Sequence, residues 1–277
     1  MDLAGFRLRL HPGYNGRHTP RPQHIITVES MRQPIQLDTM TEDSIPGPIE
    51  PTSTVGLLRA ACPRAWRAYT EHAFLDQLAK GTLPAACFRH YLIQDYLFLA
   101  QYTRAFALAV YKSETLADMR EAAGAVDALL NTEMKLHVDY CAKWGLTEED
   151  MLATPEDPAN LNYTRYVLDT GMAGDQLDLL VALAPCSCGY GEIGARLLAD
   201  PNTILEGNPY RDWIEMYGGE EFQEVSRAAM HYIDRVAARR IGDDPAQSAR
   251  WPQLTGVFTK AVQLEAAFWQ MGLHADA

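Results

Sequence analysis

Pro185-Cys186-Ser187-Cys188-Gly189-Tyr190-Gly191-Glu192-Ile193-Gly194 lies inside a stretch of helical pattern that runs over 175–199. It holds a proline, three glycines and two cysteines. In a helix interior, glycine costs roughly 1 kcal/mol and proline roughly 3 kcal/mol relative to alanine. A helix that keeps such residues has a backbone that must pass close to something, and that something is often a ligand. Cys186 and Tyr190 are four apart and share one helix face. That face offers a thiol and a phenol beside small residues, which leaves room for a flat molecule.

The helical pattern continues on both sides of this stretch. Residues 64–80 put Trp66, Tyr69, Ala73, Phe74 and Leu78 on one side, and Gly81 is the stop. Further helices are predicted over 84–112, 116–144 (ended by Gly145), 158–172, 209–217, 219–241 (ended by Gly242) and about 246–273. No run of alternating β-branched residues bounded by turns suggests a sheet. The expected architecture is all-α, a single bundle of seven or eight helices occupying residues 55–277.

Residues 1–54 differ. They carry Pro12, Pro20, Pro22, Pro34, Pro46, Pro48 and Pro51 and show no sustained period, so a flexible Pro-rich extension is expected. Met31 and Met40 are alternative starts. The arginines also admit a mitochondrial-type presequence, against which stands the lack of a clean amphipathic helix.

The chain has 277 residues, 47% of them hydrophobic, and a formal net charge of −12. Such an acidic chain repels phosphate backbones, which argues against nucleic-acid partners. No apolar run approaches the roughly 20 residues that span a bilayer, so no membrane role is expected. Arg7 and Arg9 stand where a signal peptide needs an apolar core. With five cysteines, an odd count, this points to reduced thiols and a cytoplasmic location. Cys186 and Cys188 are two apart with no matching pair elsewhere, which argues against a zinc knuckle.

Two carboxylates stand out. The helix neighbours of Asp95 are Tyr91, Leu92, Phe98 and Leu99; those of Glu265 are Ala261, Val262, Phe268 and Trp269. A carboxylate on an apolar face must meet a hydrogen-bond partner or a ligand. Asp95 is therefore either a structural acid, bonded to a tyrosine or a backbone amide, or a ligand-gripping one. Burial against aromatics raises a carboxyl pKa, which suits Glu265 to general acid–base work; an interior salt bridge to an arginine is the structural alternative.

Cys186 follows Leu183, Ala184 and Pro185, and most cysteines in such settings are inert. No neighbouring cation lowers its pKa, so a nucleophilic role needs activation from across the bundle. Cys188 points roughly 200° away and is expected to pack. Phe98, Tyr163, Tyr190 and Tyr217 could line a pocket by stacking, with plain core packing open for each. Glu192 and Arg196 have the spacing of an intrahelical ion pair. Glu133 and His137, also four apart, have a spacing that can hold a metal, but ligands from two further helices would be needed and no Glu-x-x-His repeat appears. Nucleophile-elbow, phosphate-loop and Walker patterns are missing.

Five blocks, in order, resemble the TenA family, the thiaminase II or aminopyrimidine aminohydrolase enzymes of thiamine salvage. They are Phe88-Arg89-His90-Tyr91-Leu92-Ile93-Gln94-Asp95-Tyr96-Leu97-Phe98-Leu99, Asn162-Tyr163-Thr164-Arg165-Tyr166, Pro185 through Gly194, Tyr210-Arg211-Asp212-Trp213-Ile214-Glu215-Met216-Tyr217-Gly218-Gly219, and Glu265-Ala266-Ala267-Phe268-Trp269. Their order and rough spacing match across about residues 55–273. The resemblance implies a haem-oxygenase-like helical bundle without haem, metal or other cofactor, assembled as a homotetramer. It implies a pocket for 4-amino-2-methylpyrimidines, with an aminopyrimidine or thiamine as the small-molecule partner.

The resemblance also implies roles, residue by residue. Cys186 matches the nucleophile of the cysteine-bearing branch, and Glu265 the acid–base group that hydrogen-bonds the pyrimidine. Asp95 matches the carboxylate that grips the ring's amino edge, and Tyr163 a phenol near the reacting centre. Phe98, Tyr190 and Tyr217 match aromatic positions around the ring, Phe98 standing where other members carry tyrosine. Ser187, Cys188 and Gly189 replace bulkier aromatics of some members, which would open one pocket wall. The implied reaction turns 4-amino-5-aminomethyl-2-methylpyrimidine, or thiamine, into the hydroxymethyl pyrimidine through a Cys186 adduct. Two other readings stay open: an oxidase on the same scaffold, which needs a His/Glu-lined site, and a non-catalytic pyrimidine-binding or regulatory protein, which has no need of a nucleophile.

Overall fold

The structure, a computed structural model, describes residues 49–274. Those residues are helical nearly throughout and contain no strand. In chain order the helices are α1 (Thr54–Ala61), α2 (Pro63–Thr70), α3 (Ala73–Ala79), α4 (Ala85–Lys112), α5 (Leu116–Ala128), α6 (Met134–Ala142), α7 (Glu148–Ala153), α8 (Pro158–Ala173), α9 (Gln176–Ala199), α10 (Arg211–Gly218), α11 (Glu220–Ile241) and α12 (Trp251–Leu273). A π-helical turn, Leu129–Glu133, joins α5 to α6, and a 3₁₀ turn, Pro245–Gln247, precedes α12. Of the expected extension, residues 1–48 lie outside the described residues. Within its last six, Ile49 is buried and Ser53 caps α1, accepting from the Gly56 amide at 3.0 Å.

Local chemistry sets most boundaries. Thr115 and Asp157 cap α5 and α8 with side-chain oxygens, and reciprocal capping boxes open α7 (Thr147, Asp150) and α9 (Asp175, Asp178). Gly81, Gly145 and Gly242 adopt φ of +66°, +73° and +87° just past helix ends.

The segmentation is finer than the period suggests. The single helix expected over 64–80 is two, because His72 leaves the helix and its Nδ1 accepts the Phe74 amide at 3.2 Å to start α3. The helix expected over 116–144 is interrupted by the π-turn. The helices α1 and α7 were not anticipated.

The core is built around α9. From Gln176 to Pro185 every residue is buried, and α8, α10, α11 and α12 pack around it. A helix that is apolar on all sides belongs at the centre of such a bundle. Its glycines admit neighbouring helices rather than the expected ligand. A Cβ on Gly189 would stand 2.4 Å from the Tyr69 ring on α2, and one on Gly191 2.6 Å from Ser226 Oγ on α11. On Gly194 it would stand 2.2 Å from the Tyr217 carbonyl carbon on α10.

Proline 185 removes one helix hydrogen bond. Hydroxyls of Tyr102 and Tyr69 donate to the nearby Leu183 and Pro185 carbonyls at 3.3 and 3.2 Å. Trp269 on α12 stacks on Phe74 at 5.1 Å and meets Tyr91 and Tyr190 at 5.3 Å each. Contacts of this kind contribute about 0.5–1.5 kcal/mol each beyond their buried area.

Candidate active site

A cavity of about 290 Å³ opens among α4, α5, the π-turn, α9, α10 and α11. One face of α4 supplies Asp95, Leu99, Tyr102 and Phe106, spaced four, three and four apart, as one helical stripe demands. Cys186, Ser187 and Tyr190 come from α9, Tyr217 from α10, and Glu133 from the end of the π-turn. The rest of the wall is mostly apolar, including Ala125, Leu129, Phe222, Val225 and Ala229.

Of the residues singled out in the sequence, Asp95, Cys186, Tyr190 and Tyr217 line this cavity. Glu265, Tyr163 and Phe98 stand outside its lining, all buried. The Tyr163 hydroxyl donates to Glu265 Oε1 at 2.9 Å, and Phe98 packs on Tyr163 at 5.0 Å and on Tyr102 at 5.3 Å. Glu265 therefore meets a tyrosine in the interior and no arginine. Burial pushes its carboxyl up to about 8; the Tyr163 hydrogen bond pulls the other way, and the Asp95 charge adds to the rise. Glu265 is thus a carboxylic acid at neutral pH, able to give a proton.

Asp95 is anchored by a side chain that the sequence reading did not assign to it. His137 Nε2 lies 2.8 Å from Asp95 Oδ2, and the Tyr91 hydroxyl donates to the same oxygen at 3.4 Å. His137 Nδ1 lies 3.0 Å from the Glu133 carbonyl oxygen, which can only accept, so Nδ1 carries a hydrogen. Nε2 and Asp95 consequently share one further proton. Burial opposes a charge on His137, but the Asp95 carboxylate outweighs it and raises the imidazole pKa. The spacing of Glu133 and His137, compatible with a metal, here serves a backbone bond and an ion pair. Among the described residues no group of three His, Cys, Asp or Glu side chains could hold a metal.

Cys186 faces an acidic surrounding. Burial raises its thiol well above the ordinary value, and the charges of Glu265, Asp95 and Glu133 raise it further. The Tyr102 hydroxyl, within hydrogen-bond reach, works against them. Cys186 rests as a thiol, and its proton leaves only as a bond forms. Cys188 is fully buried. Tyr102 went unassigned in the sequence; its signal was the seven-residue step from Asp95 along the same face.

Tyr190 and Tyr217 border the cavity with ring centroids 4.9 Å apart. Tyr91, 3.4 Å from the Tyr190 hydroxyl, also accepts from Trp213 Nε1 at 3.3 Å, so one hydroxyl network joins the aromatic wall to Asp95. Glu192 does not pair with Arg196 as expected. It takes Arg59 at 2.5 Å and Trp66 Nε1 at 2.8 Å, while Arg196 donates to the Thr70 carbonyl at 2.5 Å.

The bundle and its interior carboxylates, thiol and tyrosines define a haem-oxygenase-like helical protein with a small-molecule cavity. The chain belongs to the TENA/THI-4/PQQC family, whose model matches residues 59–275. It is 32% identical over 210 residues to an aminopyrimidine aminohydrolase of Halalkalibacterium halodurans, covering 76% of this chain and 90% of that protein. A crystal structure of a TenA family transcription regulator from Silicibacter sp. TM1040 superposes with a TM-score of 0.76 at 49% identity, over 79% of this chain and 96% of that one. A Shewanella denitrificans domain with a heme oxygenase-like fold matches at 15% identity with a TM-score of 0.59, over 78% of this chain and 90% of that one. That last likeness concerns the fold alone.

Proposed function

We propose that this chain is an aminopyrimidine aminohydrolase of thiamine salvage. It converts 4-amino-5-aminomethyl-2-methylpyrimidine, with thiamine as a second substrate, to the hydroxymethyl pyrimidine. The observation that carries the reading is a thiol, Cys186, and a fixed carboxylate, Asp95, lining one cavity, with Glu265 buried behind the lining, near enough for its charge to act on Cys186 and holding its proton up to about 8. A relative of similar length bears the name of this activity.

In this reading Asp95, held by His137, orients the ring through its amino edge, and Tyr190 and Tyr217 confine it. Glu265 gives a proton to a ring nitrogen while Cys186 Sγ bonds a ring carbon. The thiol proton passes to the exocyclic amine, and the methylene–nitrogen bond breaks to release ammonia. Water bonds the methylene and loses a proton, the sulfur–carbon bond breaks and the sulfur takes up that proton as the thiol, and the ring nitrogen returns its proton to Glu265. Covalent catalysis divides one difficult displacement into easier steps, and fixed geometry removes several kcal/mol of orientation cost. The neutral thiol fits this order, since its proton is needed by the leaving group.

A cytoplasmic homotetramer completes the proposal. No helix among the described residues is long and apolar enough to cross a membrane. Tyr111, Leu116 and Met172 are 84%, 65% and 69% exposed, apolar side chains that another copy would cover.

Purified protein incubated with the aminomethyl pyrimidine and with thiamine, beside Cys186→Ala, tests the reading by quantifying hydroxymethyl pyrimidine. Product from the parent and a loss of about a hundredfold or more in the variant are expected. Saturable pyrimidine binding with no product from either substrate would overturn it.

A further inference from the structure

Two carboxylates that line the cavity, Glu121 and Glu133, have no task in the reaction described above; Glu121 is paired with Arg235, and Glu133 has no such partner among the described residues. It closes the π-turn, and its backbone and side chain do different things. The carbonyl holds His137 Nδ1 at 3.0 Å, while the carboxylate, lining the cavity with Cys186 and Asp95, makes no hydrogen bond among the described residues. Glu133 is half-buried and its carboxylate opens on the cavity, where a bound ligand can supply the hydrogen-bond donors that the protein does not.

The π-turn explains how Glu133 reaches this position. One widened turn shifts the phase of every later side chain, and such insertions are frequent at functional sites. It lets the Glu133 carboxylate line the cavity while His137, four residues on, faces Asp95. Asp95 has its His137 and Tyr91 partners, and Glu265 has Tyr163. Glu133 has neither. It lines the same wall as Asp95, near enough for the charges of Asp95 and His137 to act on it.

We propose that Glu133 is the acid–base residue of the hydration half-reaction and the anionic contact for the departing amine. The inference rests on the aminohydrolase reading. Before departure its carboxylate receives hydrogen bonds from the exocyclic aminomethyl nitrogen. After ammonia has left, it accepts a proton from the water whose oxygen bonds the methylene carbon. It then gives that proton to the Cys186 sulfur as the sulfur–carbon bond breaks, restoring the thiol. With the thiol proton gone to ammonia and the ring proton returned to Glu265, the account closes on one water consumed and one ammonia released. Its carboxyl, raised to about 6 by burial and eased back by the His137 charge, is ionised at neutral pH and basic enough for the role.

The test is Glu133→Gln in the full chain, which keeps the side-chain shape and the backbone bond to His137. Steady-state kinetics on the aminomethyl pyrimidine are measured with mass spectrometry of the protein quenched during turnover. A fall in kcat of about a hundredfold is expected, together with a Cys186–pyrimidine adduct that accumulates in the variant and not in the parent. Affinity for the hydroxymethyl product, which lacks the amine, stays at the parent value. A variant within about threefold of the parent in kcat and KM overturns the proposal, as does lost product affinity, which marks a structural role. A parent chain that releases no product fails the underlying reading instead, so the two failures are told apart.

Discussion

Glu265 carries the most information of any single residue, because its proton is readable in both stability and rate. Its carboxyl titrates at about 8 in the folded protein against an ordinary value of 4.5. Between these values the folded protein holds a proton that the unfolded chain has released. The contribution of Glu265 to stability is therefore complete below about 4.5, declines as pH rises, and is lost once pH passes about 8. Urea denaturation from about pH 5 to about pH 9 should show the parent losing stability relative to Glu265→Gln across this window. The same titration removes the proton donor, so parent kcat should fall as pH rises through about 8. Parallel stability curves for parent and variant would show that the carboxyl is not protonated in the folded state. Both interior carboxylates could be found in the sequence, since an acid among aromatic neighbours on one helix face has few explanations. Their partners could not, because His137 lies 42 positions from Asp95 and Tyr163 102 positions from Glu265.

At the scale of elements, α9 couples packing to the site. Its glycines bring α2, α10 and α11 close, and Gly194 meets backbone rather than side chain. A Cβ there would stand 2.2 Å from the Tyr217 carbonyl carbon and 2.6 Å from Gly218 N, neither of which can swing aside. Gly194→Ala should cost about 1–3 kcal/mol and, by moving Tyr217 in the cavity wall, raise KM for the pyrimidine. Gly256 on α12 is the control. Nothing lies within 4 Å of its Cβ position, so Gly256→Ala should leave KM alone and gain up to about 1 kcal/mol from helix propensity. Chemical denaturation and substrate titration of the pair check this; equal KM for both would uncouple α10 from the site. The long helices were legible because their apolar period is strong. The break at His72 was not, since its cap uses an imidazole nitrogen rather than the usual short polar side chain. The π-turn has no composition of its own. The glycines of α9 were seen as a request for space, but the sequence could not say that tyrosine rings and neighbouring helices were the occupants.

For the whole molecule, three large apolar side chains, Tyr111, Leu116 and Met172, are exposed near the ends of α4 and α8 and the start of α5. Lys112 Nζ bonds the Gly174 carbonyl at 2.7 Å, tying the end of α4 to the end of α8. Tyr111 and Met172 are each within two residues of that contact, and Leu116 follows at the start of α5. A net charge of −12 per chain opposes self-association, so apolar burial must supply the attraction if copies assemble. Two consequences follow for the proposed tetramer. Sedimentation equilibrium should return four chains of 30.9 kDa, and moderate salt should tighten the assembly by screening like charges. Tyr111→Glu combined with Met172→Glu should yield smaller species, because each glutamate adds repulsion where contact area is removed. A single 30.9 kDa species from the parent at every salt concentration would refute the assembly while leaving the active-site chemistry untouched, since the cavity walls described here come from one chain.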